Sequence, residues 1–285
     1  MNDFQGGLMS LRINTNPGSA FSSYQLKKTG QDLSESLARL STGKKINNAS
    51  DDAAGMVIAN TLLSQSNGYG QAVKNANDAI SIAQVADGAL GQATDILQNI
   101  RIKAIQAAGA AQSPESRQAI QADISKNLES LKNIADNTSF NGQKLLSGSF
   151  TDKAFQVGAS SGETIEISLG SLEPSMVAEG SGTLADINVT TPEGAQAAIK
   201  LSDSALDYIG QQRSQVGSTM NQLESTINNL SNSQINTLKS ASEIQDLDYA
   251  EESLNLNKIK FLSKVQAFAQ TQANVTAKKI IDIFE

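Results

Sequence analysis

The sequence predicts a mainly α fold of long, thin antiparallel helices packed along their lengths, with one small β-hairpin region. Three observations carry this reading. Aromatic residues make up only 4% of the 285 residues and Trp is absent, which leaves little bulk for a thick globular core. Only four prolines interrupt the chain, so uninterrupted elements are allowed over most of it. Leu206, Ile209, Val216, Met220, Leu223, Ile227 and Leu230 follow alternating spacings of three and four, with Arg213 as the one break. Over about three heptads such a seam calls for a coiled-coil partner.

The elements follow in order. Leu26, Leu33, Leu37 and Leu40 form a narrow seam on a helix from Phe21 to Leu40, which Thr42-Gly43 ends. A linker with Asn47-Asn48-Ala49-Ser50 comes next. A long helix is expected from near Asn67 to Ala107, roughly 60 Å at 1.5 Å per residue. It carries two stripes, one of Val73, Ile80, Ala83, Leu90 and Leu97, the other of Ile82, Ala86, Ala89, Ala93, Ile96 and Ile100. Two stripes require two sets of neighbours. Ser113 is an N-cap with Pro114 at the first helical position, opening an antiparallel helix marked by Ile120, Ile124, Leu128, Leu131 and Ala135. Ala154–Val157 and Thr164–Leu169 alternate as two strands around a Gly-containing turn. After the seam helix, a last helix carries Leu254, Phe261, Val265, Phe268 and Val275, largely on one face. The two chain ends thus present seams with no thick domain to bury them. They must pair with each other or with other copies, and their polar remainder predicts ordering on assembly over residues 1–45 and 245–285.

The chemistry is restricted. With no Cys and no His there is no thiol nucleophile, disulfide, imidazole base or usual zinc ligand set, and no metal, cofactor or catalytic residue is assigned. Of the acidic groups Asp51-Asp52, Asp246/Asp248 and Glu251-Glu252, the first reads as a helix N-terminus. A net charge of -7, with basic residues only in pairs such as Lys27-Lys28, Lys44-Lys45 and Lys278-Lys279, argues against nucleic acid. No stretch has the length and apolarity of a membrane span, and Met1–Ser10 lacks a signal-peptide core, so no membrane insertion is expected and secretion requires another route. Met9-Ser10-Leu11-Arg12 offers an alternative start.

Leu40-Ser41-Thr42-Gly43-Lys44-Lys45-Ile46-Asn47, then Asp51-Asp52-Ala53-Ala54-Gly55-Met56-Val57-Ile58-Ala59, resemble the N-terminal signature of bacterial flagellins. Asn75–Gln84 continues it, and Thr138–Leu146 resembles the family's turn out of the third helix. Glu243–Glu252 and Gln270–Asn274 are similar to the C-terminal signature. The pattern is closest to the Campylobacter and Helicobacter type.

The resemblance implies an elongated, hairpin-shaped subunit that polymerises into the flagellar filament, a secreted, extracellular propeller with no enzyme activity and, in this chain, no large outer domains. Residues 1–45 and 248–285 would form the inner core, 46–66 and 236–247 the spoke linkers, and 67–235 the outer tube, with hairpins at about 140–190. Leu26, Leu33, Leu37, Leu40, Leu254, Phe261, Val265, Phe268 and Val275 would be the inner assembly seam, and the seven residues from Leu206 to Leu230 the outer-tube seam. One stripe of the long helix would face its own bundle and the other neighbouring subunits. Implied partners are further copies of the chain, an export chaperone bound through the last helix, the filament cap, the hook–filament junction proteins and the flagellar type III export apparatus. A hook–filament junction protein is the alternative reading.

The resemblance also implies surface positions for O-linked sugars at Ser147, Ser149, Thr151, Ser160, Ser161, Ser171 and Ser175. In the region that the Toll-like flagellin receptor of animals reads, the family usually has Arg, Glu and Leu where Asn99, Ile102 and Lys103 stand, and Glu where Asp123 stands. Weak stimulation of that receptor is therefore expected.

Overall fold

The computed structural model describes residues 16–175 and 182–282, with side chains as far as Val275. The alternative start at Met9 and the rest of residues 1–15 lie outside the described residues. The order is α1 (Pro17–Thr42), α2 (Ala53–Ala108), α3 (Pro114–Asn137), β1 (Ser139–Phe140), β2 (Gln143–Lys144), β3 (Lys153–Gln156), β4 (Thr164–Ile167), a 3-10 turn at Leu184–Asp186, α4 (Pro192–Gln245) and α5 (Tyr249–Asp282). Two compact units result. One comprises the chain up to Leu63 together with the chain from Lys239, the other Ser64–Leu238.

Local chemistry sets the boundaries. Asn16 caps α1 by accepting the Ser19 N–H at 3.1 Å, and Pro17 follows at the first helical position. Gly43 ends the helix at φ +69, where a Cβ would be strained, and its N–H reaches the Arg39 carbonyl. Asp52 caps α2, accepting the Gly55 N–H at 2.8 Å. Thus α2 begins fourteen residues before the expected Asn67 and is roughly 80 Å long. The segment expected as a linker over 46–66 is a linker only to Asp52, and that over 236–247 is helical to Gln245. Ser113 caps α3, with Pro114 next.

In the larger unit α2 and α4 run antiparallel, with Arg213 donating to Asp87 at 2.8 Å and Arg101 to Asp203 at 2.5 Å across them. Ala76, Ala79, Ala83, Ala86 and Ala93 of α2 are fully buried, and their small side chains let helices approach closely. Both stripes of α2 enter this one core. Ala83, Leu90, Leu97, Ala86, Ala93 and Ile100 are buried, and Ile80, Ala89 and Ile96 pack against them. No stripe is left over for a neighbouring subunit, a correction that follows from α3 and α4 both being available within the chain.

β1 and β2 form an antiparallel hairpin closed by Asn141 (φ 47) and Gly142 (φ 78), the left-handed pair that a two-residue turn requires. β3 and β4 pair antiparallel with Phe155 opposite Ile165. The Leu169 and Leu172 amides extend that pairing to the Phe150 and Leu146 carbonyls at 2.8 and 2.9 Å. Beneath lie Leu145, Leu146, Phe150, Leu169, Leu172 and Leu184, all fully buried. Each contributes about 1.5–3 kcal/mol. The Asn75 amide donates to the Gln156 carbonyl at 2.9 Å, and the Gln121 amide takes the Ile187 carbonyl and the Val189 N–H at 3.0 and 2.7 Å. Two side chains thereby fasten the hairpins and the following loop to α2 and α3.

Candidate functional site

α1 and α5 pair antiparallel. At one end the Tyr249 hydroxyl donates to the Leu40 carbonyl at 2.8 Å. At the other, the Asn16 amide donates to the Ala273 carbonyl at 3.3 Å, and Ser19 is bonded to Asn274 and Gln270, each at 2.8 Å. On α5 the buried and half-buried residues through Val275 are Glu252, Leu256, Ile259, Ser263, Gln266, Gln270 and Ala273. Their spacings alternate strictly between four and three. The matching face of α1 holds Ser19, Ser22, Leu26, Thr29, Leu33, Ser36 and Leu40. The pairing therefore has coiled-coil periodicity but a largely polar seam. Ser36 Oγ, Glu252 Oε1, Gln266 Oε1 and Gln270 Oε1 are buried there without a partner among the described residues. A buried polar atom in that condition costs on the order of 1–3 kcal/mol.

The large apolar residues of α5 lie on the other side. Leu254 is 72% exposed, Phe261 67% and Phe268 71%, with Val265 and Val275 also exposed. The structure accordingly splits the seam that the sequence presented as one. Leu26, Leu33 and Leu40 turn toward α5, whereas Leu37 and the five α5 residues turn outward. The two faces of α5 are inverted relative to a self-sufficient hairpin: polar toward its partner, apolar toward the outside. Only the large apolar heptad was conspicuous in the sequence. The offset Ser/Gln/Ile heptad carries the same 3-4 spacing but little hydrophobic contrast, so it went unseen.

The link into this pair is built from backbone. The Lys45 N–H donates to the Gln245 carbonyl at 2.7 Å and the Leu247 N–H to the Gly43 carbonyl at 3.0 Å. Asp51 Oδ2 accepts the Asn47 and Asn48 amides at 3.0 and 2.9 Å. Those two bonds hold the Asp51 carboxyl below the usual carboxylate range. Asp248 caps α5 through the Ala250 and Glu251 amides at 2.8 and 3.2 Å. Asp51, Asp52 and Asp248 are thus engaged at helix starts and turns, and no three acidic side chains gather into a metal-binding group among the described residues.

In the larger unit, Ile209, Val216, Leu223 and Leu230 are buried, with Leu206, Met220 and Ile227 half-buried beside the core. Arg213 stands at the seam's edge, its guanidinium on Asp87. Asn99 and Ile102 are exposed on α2. Lys103 donates to Asp123 of α3 at 2.8 Å. Nothing in the spacing marks these two positions as partners, because twenty residues and a turn separate them. Among the hydroxyls, Ser149, Thr151, Ser160, Ser161 and Ser175 are exposed and Ser147 is half-buried. Ser171 is buried, its Oγ accepting the Glu173 N–H, so the expected surface position is corrected for this residue. Its neighbours Leu169 and Leu172 pull the segment into the core.

The family model for the bacterial flagellin N-terminal helical region matches residues 13–151, and that for the C-terminal helical region residues 199–284. Flagellin B of Helicobacter pylori is 52% identical over 163 residues, covering 57% of this chain but 32% of that protein's length. The chain thus spans about a third of that relative. Flagellin B of Vibrio cholerae is 31% identical over 364 aligned residues, covering 93% of this chain and 97% of its own. The crystal structure of Bacillus cereus flagellin is similar over 55% of this chain and 88% of that one, with 25% identity and a TM-score of 0.48.

Proposed function

The chain belongs to the bacterial flagellin family, and from that premise we propose that it polymerises into the flagellar filament, transmitting motor torque as a helical propeller outside the cell. It does so as a structural subunit, with no catalysis. The observation that carries the reading is the inverted α5. A polar heptad meets α1 while Leu254, Phe261, Val265, Phe268 and Val275 face outward. An apolar stripe of this length on a solvent-facing helix marks an interaction surface, and pairing with further copies covers it. The same face serves an export chaperone before assembly. The type III export apparatus, the junction proteins and the filament cap are the remaining partners that membership of the family supports.

Seeded polymerisation tests this. Purified chain added to filament fragments should elongate them. Phe261→Asp and Phe268→Asp should abolish elongation, because a buried unpaired charge costs several kcal/mol. Both positions are exposed in the single chain, so the monomer's circular dichroism should stay unchanged. Elongation at the unaltered rate would show that this face is not used.

Two finer readings belong with it. O-linked sugars are placed on Ser147, Ser149, Thr151, Ser160, Ser161 and Ser175, and intact-mass measurement of native filament reads them directly. Weak stimulation of the Toll-like flagellin receptor follows from Asn99, Ile102, Lys103 and Asp123. Asn99 lacks the bidentate fork of an arginine, and Lys103 and Asp123 engage each other. Two such losses weaken binding roughly a hundredfold if they add. In a reporter-cell assay, potency equal to that of an enteric flagellin contradicts this.

A further inference from the structure

Asn followed by Gly occurs twice in the sequence, at Asn67-Gly68 and Asn141-Gly142. Both asparagines are exposed, yet the backbone around them differs. Gly68 lies inside α2, where its N–H belongs to the helix ladder, and a Cβ built on it would meet the Ala159 Cβ at 3.1 Å. Asn141 and Gly142 are the two turn residues between β1 and β2, both in the left-handed region at φ 47 and 78. The strand pairing runs through Phe140 and Gln143, which leaves the Gly142 N–H outside the ladder. Nothing stands within 4 Å of the place a Gly142 Cβ would take. The same dipeptide is thus locked and packed at one site, open and unpaired at the other.

We propose that Asn141 is a modification site of the folded protein, converting through a cyclic imide to aspartate and isoaspartate, while Asn67 stays an amide. The reaction needs only water and stands on the chain alone, without the filament. The Gly142 nitrogen gives up its proton to base and bonds to Asn141 Cγ. The Cγ–Nδ2 bond breaks, and the nitrogen leaves as ammonia with a proton from solvent. Water then opens the imide at one of its two carbonyls. Opening at Cγ restores the main chain and leaves an aspartate. Opening at the main-chain carbonyl leaves an isoaspartate, whose backbone runs through Cβ and Cγ. Aspartate keeps the turn, because its short polar side chain also tolerates left-handed backbone. Isoaspartate does not. Its extra main-chain carbon falls in a two-residue turn that sets Phe140 opposite Gln143. The β1–β2 hairpin then opens, and with it go the Leu145 N–H to Thr138 carbonyl bond at 3.1 Å and the packing of half-buried Phe140 against the core.

The test incubates the full chain in mildly alkaline buffer, folded and in urea, and follows both sites by peptide mass. Trypsin, cutting after Lys132 and Lys144, releases Asn141 in residues 133–144 together with Asn133 and Asn137 of α3, and fragmentation separates the three. In the folded chain Asn141 should gain the mass of an amide becoming an acid, faster at higher pH, while Asn67, Asn133 and Asn137 do not. In urea Asn67 should convert alongside Asn141. Asn141 kept as an amide in the folded chain while it converts in urea would overturn the proposal, and so would equal conversion of Asn67 and Asn141 in the folded chain. Isoaspartyl methyltransferase with labelled S-adenosylmethionine should label the aged chain and leave Asn141→Asp unlabelled at this peptide. The structural consequence is read by amide exchange at Leu145. Protection should survive in Asn141→Asp and be lost in the isoaspartyl form, and a protected Leu145 amide in that form would show that the hairpin stays closed.

Discussion

Asp51 and Asp52 are adjacent carboxylates with different tasks. Asp52 starts α2, and Asp51 gathers the two preceding amides of the linker. With its folded-state pKa below the ordinary 3.8, Asp51 stabilises the turn fully above that value, and the contribution is lost as pH falls through the depressed one. Asp51→Asn should therefore accelerate amide exchange at Asn47 and Asn48 near neutral pH and flatten its acid dependence. Exchange unchanged at both sites would remove the role. Arg213 makes a different case. Its place in an apolar heptad was legible, but its partner Asp87 lies on another helix and was not. Both side chains are partly exposed, so a double-mutant cycle with Arg213→Ala and Asp87→Ala should give a coupling of about 0.2–1 kcal/mol that fades in high salt. A coupling above about 2 kcal/mol would mean the pair is effectively desolvated.

At the scale of elements, the caps were the most legible features, since Ser113-Pro114 and Thr42-Gly43 act through neighbouring atoms alone. The start of α2 was not, because residues 53–66 mix Ala with Asn, Ser and Gly and show no clean apolar stripe. Only burial in the folded chain, as at Ala59 and Ser66, marks them as helix. The second hairpin was readable by alternation, whereas Leu145, Leu146, Phe150 and Leu172 lie in irregular segments with no period to announce their burial. For α5 the periodic signal was real but pointed to the outward face. The polar inner face makes a testable difference. Gln266→Leu replaces a buried oxygen that has no partner among the described residues with an apolar group on the seam. It should strengthen the α1–α5 pair by about 1 kcal/mol, slowing amide exchange in α1 several-fold. Faster exchange would show that the glutamine fits this seam better than leucine.

At the scale of the molecule, stability is unevenly divided. The larger unit holds a continuous core from Ala76 to Leu223, with Leu97, Ile100, Ile124, Leu131 and Ile209 fully buried. The α1–α5 pair buries Ile259 with Thr29, Ser36 and Glu252. Hydrogen exchange on dilute monomer should therefore go to completion over residues 17–42 and 249–275 while the centres of α2 and α4 stay protected. On polymerisation the terminal segments should become protected. Equal protection of both units in the monomer would contradict the weak pair. In the proposed filament α5 keeps its apolar face for other copies, and an electron-microscopic reconstruction at side-chain detail reads that packing. Leu254, Phe261, Val265 and Phe268 should pack against neighbouring subunits. A filament in which these four side chains face solvent, with the contacts between copies made elsewhere, would contradict it.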